Sequence, residues 1–146
     1  MTSFKNIFST ILVLFLTATS IQTNAQGIEF VHNLDSALML AKAQHKPIFI
    51  DFYTSWCAPC KQMTAEVFPQ AKVGTYYNSQ FINCKVQCDD NGIGVKVGEK
   101  YQINAYPTLM YLDEKGELIH SMAGGISGEE LIELGNIARN PEKNLL

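Results

Sequence analysis

The chain has 146 residues, nearly half of them hydrophobic, with fourteen acidic against eleven basic side chains and a formal charge of −3. That length suits one domain around one core. The acidic balance excludes the basic face that nucleic acid demands.

Residues 1–25 read as a leader rather than as part of the domain. Lys5 supplies a positive start, residues 7–18 an apolar segment, and Thr23-Asn24-Ala25 the small side chains that a signal peptidase reads. A membrane anchor needs about 20 apolar residues. This run is shorter and is broken by Ser9, Thr10 and Thr17. The expectation is a cleaved secretory signal over 1–25 and a mature domain over 26–146 in an oxidising compartment, the periplasm or the cell exterior. No cysteine lies near the cleavage point, which argues against a lipid anchor.

Residues 28–31 alternate weakly and predict a short first strand. Asn33 or Asp35 can cap a helix whose inner face is Leu34, Ala37, Leu38 and Ala41. Lys46-Pro47 ends it and opens a strand over 48–53. That strand is apolar on both faces, as in the middle of a sheet covered by helices on each side. A helix over 57–67 follows. Pro69 breaks it, and a further helical turn runs through Val73 and Tyr76-Tyr77. Residues 81–88 read as a strand with Ile82, Cys84, Val86 and Cys88 on one face. After the turn Asp89-Asp90-Asn91-Gly92, residues 93–101 are helical in pattern, although Gly92, Gly94 and Gly98 weaken the signal. Residues 108–112 form a strand, 113–116 a hairpin loop, and 117–122 an antiparallel return. Gly124-Gly125 ends that strand. Ser127 and Glu130 form a capping box before Leu131, Ile132, Leu134, Ile137 and Ala138. The order βαβα(α)βαββα gives an α/β fold, a central sheet with helices on both faces.

Chemistry concentrates at Trp56-Cys57-Ala58-Pro59-Cys60. Cys57 falls where a helix begins. Unpaired N–H groups and the helix dipole favour an anion there, so its thiolate is stabilised. Cys60 lies one turn on, within reach of a small disulfide ring. Pro59 stiffens that ring without losing a useful N–H. Strand, Cys-x-x-Cys turn and helix together point to thiol–disulfide exchange. A purely structural disulfide, or a zinc knuckle of Cys57, Cys60, Cys84 and Cys88, also fits the cysteine spacing. Asp51 is a charge inside an apolar strand. If buried, its pKa rises and it can accept a proton from a neighbouring thiol; if it faces solvent, it does neither. Pro107 interrupts a strand-like run, and base rates alone favour a trans bond before it. Cys84 and Cys88 stand about 13 Å apart in a regular strand, beyond the ~7 Å that a disulfide tolerates. They read as two buried thiols acting as small hydrophobes, with a second redox pair, a regulatory thiol or metal binding left open.

These residues resemble the thioredoxin superfamily over nearly all of the mature length. Asp51 stands six before Cys57, Trp56 precedes the first cysteine and Lys61 follows the second. Lys85 matches the strand lysine that approaches the buried carboxylate. Tyr106-Pro107-Thr108 matches the loop whose cis-proline faces the disulfide, and Gly124 matches the glycine near the substrate groove. Ala58 replaces the glycine of the commonest form, and Ala65 stands where thioredoxin proper has a helix-kinking proline. The stretch from Val67-Phe68-Pro69 to Phe81 looks more like exported thioredoxin-like proteins and the soluble domain of transmembrane electron-relay reductases.

The resemblance implies the thioredoxin fold, a mixed sheet between helices, and a cis bond before Pro107. It implies catalysis by Cys57 and Cys60, with Asp51 and Lys85 assisting and Trp56, Pro59, Tyr106, Pro107 and Gly124 meeting substrate. The implied partners are disulfide-containing proteins and a membrane-bound thiol electron donor. No cofactor and no metal are implied. No histidine separates the cysteines, so the direction expected is reduction. The chain is expected to act as a monomer, with no spare length for the dimerisation domain of an isomerase. A different class stays open: a redox-inert or metal-carrying domain that only binds a partner.

Overall fold

In the computed structural model, which describes residues 26–141, the chain runs α1 (Leu34–Gln44), β1 (Ile48–Tyr53), α2 (Ala58–Gln62), a π-helical turn (Met63–Val67), α3 (Ala71–Gln80), β2 (Ile82–Gln87), α4 (Ile93–Lys100), β3 (Thr108–Leu112), β4 (Leu118–Ala123) and α5 (Gly128–Arg139). The leader expected over 1–25 lies outside the described residues. The strands pair in the order β2-β1-β3-β4. β1 runs parallel to β2 and antiparallel to β3, and β3 is antiparallel to β4. This is the mixed sheet expected. No helix among the described residues is long and apolar enough to cross a membrane.

The central strand explains the layering. Alternate residues of a strand point to opposite faces. Ile48, Ile50 and Phe52 join Leu34, Ala37 and Ala41 of α1, with Ile82, Cys84 and Val86 of β2, in one core. Phe49 joins Met63, Val67, Phe68, Tyr77, Phe81, Tyr111 and Leu131 in the other. Asp51 shares the parity of Phe49, so a carboxylate enters the second core beside aromatic rings. Phe49 sits 4.7 Å from Tyr77 and 5.3 Å from Tyr111 between ring centroids. Those separations suit tilted and edge contacts, and each such pair adds about 1 kcal/mol beyond area burial.

The helix ends follow from their caps. Asn33 Oδ1 accepts from the Ser36 N–H at 2.9 Å, so Asn33 rather than Asp35 caps α1. Ser127 and Glu130 close the reciprocal capping box at α5. Gly94 does more than weaken a pattern. A Cβ there would stand 1.9 Å from the Gln87 carbonyl oxygen, so only glycine lets α4 approach the end of β2.

Two expectations change. The strand predicted at 28–31 shrinks to one parallel bridge, Val31 to Cys84. Its neighbours spend their backbone groups elsewhere: the Ile28 N–H on the Phe68 carbonyl, the Glu29 N–H on Asn78 Oδ1, and the Glu29 carbonyl on Asn83 Nδ2. The helix predicted over 57–67 is α-helical only to Gln62. The Phe68 N–H then reaches back to the Met63 carbonyl at 2.9 Å, an i to i+5 bond that widens the last turn. That turn buries Met63, Val67 and Phe68 together.

The Tyr77 hydroxyl ties the sheet to α5. It lies 2.6 Å from the Tyr111 hydroxyl and donates to the Leu131 carbonyl at 2.6 Å. Tyr77→Phe keeps the ring and strands the buried Tyr111 hydroxyl. An unsatisfied buried hydroxyl costs about 1–3 kcal/mol. The expected outcome is a lower urea midpoint with unchanged slope; a midpoint equal to wild type contradicts this account of the α5 contact.

Candidate active site

β1 delivers the chain to a turn, Thr54-Ser55-Trp56, that leads into α2. Cys57 is the N-cap of α2. Its Sγ accepts from the Cys60 N–H at 3.2 Å, and the Lys61 N–H bonds to its carbonyl at 3.2 Å. The sulfur therefore lies among first-turn donors that have no intrahelical partner. Cys57 and Cys60 are joined in a disulfide, with Cα atoms 5.3 Å apart, so this is the oxidised form. Both residues are buried, whereas Trp56 beside them is 69% exposed.

The turn is fastened from across the sheet. The Ser55 N–H and Oγ donate to Asp89 Oδ2 at 2.8 and 2.6 Å. Gln87 Nε2 donates to Asp89 Oδ1, and the Tyr53 hydroxyl donates to Gln87 Oε1. The Ser55 bonds hold the Asp89 carboxyl below the usual range. In sequence Asp89 reads only as a turn residue, because its partner is 34 positions away.

Asp51 and Lys85 are directly opposed in the parallel register of β1 and β2. Lys85 Nζ stands 3.4 Å from Asp51 Oδ2, with the carboxylate 1% exposed. The contact is an ion pair, longer than the ~2.7–2.9 Å of a short charge-assisted hydrogen bond. Burial pushes the Asp51 pKa up to about 6 against the opposing pull of Lys85. The solvent-facing alternative for Asp51 is thereby removed. Lys85 Nζ donates to Thr64 Oγ1 at 2.8 Å. Its ammonium also lies 4.8 to 5.4 Å from the ring centres of Tyr53, Phe68 and Phe30. Cys60, Thr64, Lys85 and Tyr53 line one recess of about 330 Å³, so Cys60 and the lysine share an opening.

On the other side of the disulfide, the Tyr106-Pro107 bond is cis. The Tyr106 ring meets the Trp56 ring edge-on at 6.0 Å. The Gly124 N–H donates to the Pro107 carbonyl at 2.8 Å, and Gly124 has φ of 110°, a conformation that favours glycine. Gly125 is the residue that closes on the helix: a Cβ there would lie 3.3 Å from Pro59. A second groove of about 430 Å³ runs along this edge between Pro59, Gln62, Met63, Gly125 and Ile126. The expected site residues thus fall into four linked pairs: Cys57 with Cys60, Asp51 with Lys85, Trp56 with Tyr106, and Pro107 with Gly124. Pro59 sits within the disulfide loop. Thr64, Gly125 and the Ser55–Asp89 tie are additions. Thr64 had one sequence signal, its place four residues after Cys60 on the same helical face.

Cys84 is fully buried, and burial pushes its thiol up to about 12. Cys88 is partly buried and also raised, by burial first. Both are free thiols. Among the described residues no three His, Cys, Asp or Glu side chains gather in a metal-binding group, so the four cysteines of the zinc alternative do not assemble.

Residues 34–138 match the model of the thioredoxin-like domain family. A thioredoxin-like protein of Synechocystis is 35% identical over 88 residues, covering 60% of this chain and 77% of that protein. The thiol:disulfide interchange protein DsbD of Salmonella typhi is 28% identical over 94 residues, and this chain spans 16% of its length. A solution structure from Bacteroides thetaiotaomicron, described as a proposed disulphide-isomerase, superposes with a TM-score of 0.68 at 33% identity, covering 78% of this chain and 94% of that one. The matched span, the mixed sheet and the Cys57–Cys60 disulfide at the start of α2 agree: the chain belongs to the thioredoxin-like domain family, among its thiol–disulfide oxidoreductases.

Proposed function

We propose that this protein is an exported reductase of protein disulfides, working through a Cys57/Cys60 cycle and recharged by a membrane-bound thiol donor. The observation that carries the reading is the disulfide at the N-cap of α2, with a buried carboxyl of raised pKa on the strand that leads into it. In the reduced enzyme the Cys57 thiolate attacks one sulfur of a substrate disulfide. The first substrate sulfur leaves as a thiolate, takes a proton, and a mixed disulfide forms. Asp51 then takes the Cys60 proton, directly or through water, and the Cys60 thiolate attacks Cys57 Sγ. The second substrate sulfur leaves, and the enzyme holds the disulfide seen here. Two electrons have passed to the substrate. A dithiol donor restores Cys57 and Cys60 and is itself oxidised.

Trp56, Tyr106 and Pro59 offer apolar area around buried sulfurs, which suits an extended polypeptide better than a small thiol. Export rests on the leader-like pattern over 1–25. The likeness to DsbD supports a donor in the membrane, since an oxidising compartment offers no soluble reducing pool.

Insulin-disulfide reduction tests the cycle. Wild type is expected to be active and Cys57→Ser inactive, while Cys60→Ser accumulates a mixed disulfide that traps physiological substrates. A midpoint potential above about −150 mV, the range of dedicated oxidants, would overturn the direction.

Asp51 makes stability depend on pH. The folded carboxyl keeps its proton up to about pH 6, against 3.8 in the unfolded chain. Between those values the folded state binds more protons, so stability falls as pH rises through the window and is level above it. Asp51→Asn removes the ionisation. It is expected to raise the unfolding free energy by on the order of 2 kcal/mol above pH 7 and to change it little at pH 4. Urea titrations at both pH values check this, and an equal effect at the two pH values contradicts a buried, raised carboxyl.

A further inference from the structure

We infer that Thr64 is a positioning residue that keeps the Lys85 ammonium at ionic distance from Asp51 rather than in a short hydrogen bond, so that the buried carboxyl can take a proton. The inference deepens the reductase reading, because it rests on Asp51 serving Cys60.

The geometry is that of a competition. Asp51 and Lys85 are facing partners in adjacent parallel strands, and a short charge-assisted hydrogen bond between them would measure about 2.7–2.9 Å. It does not close. Lys85 Nζ stops 3.4 Å from Asp51 Oδ2 and directs one of its three N–H donors to Thr64 Oγ1 at 2.8 Å, which fixes where the ammonium sits. Both carboxylate oxygens are left without a hydrogen-bond partner in a residue that is 1% exposed. The rings of Phe30, Tyr53 and Phe68 surround the ammonium and favour its place above them. Thr64 belongs to the π-helical turn, one helical turn beyond Cys60, and lines the recess that Cys60 and Lys85 also line. One hydroxyl thus reaches from the redox helix to the cation that governs the carboxyl.

Thr64 is exposed, and without its hydroxyl the ammonium still has the Asp51 carboxylate 3.4 Å away on its buried side. A hydrogen-bonded ammonium stabilises the carboxylate and lowers its protonation midpoint. Besides Lys85, the titratable groups coupled to Asp51 are Tyr53 on β1 and Cys88 after β2, on which its charge acts. Burial raises both, so they stay neutral through the range in which Asp51 titrates. Cys57 and Cys60 do not titrate while they form the disulfide.

The test is a carboxyl ¹³C NMR titration of the oxidised protein, with Asp51→Asn identifying the resonance. Wild type is expected to titrate near 6. Thr64→Val should titrate lower by about half a unit to one unit, and Thr64→Ser like wild type. In a Lys85→Met background, where the carboxyl titrates above wild type, Thr64→Val should add no shift. A Thr64→Val midpoint equal to wild type overturns the inference, and so does a Thr64→Val shift that survives Lys85→Met. Thr64→Ala removes the same acceptor and serves if the valine variant does not fold. The titration needs no turnover. Inactivity towards insulin with the expected shifts would therefore sink the reductase reading alone, and full activity without the shifts would sink only the role of Thr64.

Discussion

A charge kept inside an aromatic core is the constraint on which this structure turns. Asp51 lies in the central strand, on the face that also carries Phe49, and lacks a hydrogen bond to either oxygen. Burying a carboxylate costs several kcal/mol unless it is paired or neutralised. Here the partner is held at ionic distance, so part of the cost remains and shows as a raised pKa. The strand position makes this unavoidable. Sheet pairing on both sides fixes Asp51, and the parallel register fixes Lys85 opposite it. The fold therefore carries a standing destabilisation, and the proposed cycle would draw on it for proton uptake.

Much of the architecture could be read from the amino-acid order because local and global signals agree. Residues 48–53 are apolar on both faces and do lie at the centre of the sheet, covered on each side. Asn33 and the Ser127/Glu130 pair carry their caps in their side chains. Residues 28–31 misled for a physical reason. Their alternation is real, but the distant side chains of Asn78 and Asn83 take the backbone groups that a strand would use. The π-helical turn was equally hidden. It depends on one i to i+5 bond and on burying Met63, Val67 and Phe68 at once, which helical periodicity does not encode.

The site was legible where chemistry demands rare residue types, and illegible where common ones are recruited by position. Two cysteines three apart before a helix carry their own message, and a lone aspartate in an apolar strand nearly so. Ser55, Asp89 and Gly125 carry none, and Thr64 only its place four residues after Cys60, since a threonine or a turn aspartate is ordinary on any surface. Their roles come from contacts across the chain: Lys85 to Thr64, Ser55 to Asp89, Gly125 to Pro59. Lys85 stood between the two cases. The resemblance suggested it as a partner for Asp51, and the strand register sets the two opposite each other.

Cys84 has a quieter consequence. It is sealed in the layer of α1, across the sheet from the π-helical turn, with its ionisation pushed up to about 12. At pH 7 burial keeps that sulfur as the thiol rather than the anion, the form that attacks a disulfide. A chain that makes and breaks sulfur bonds for a living thus carries a third sulfur that cannot intrude. Misbridged by-products from that residue are suppressed by burial alone, without removing it from the core it fills.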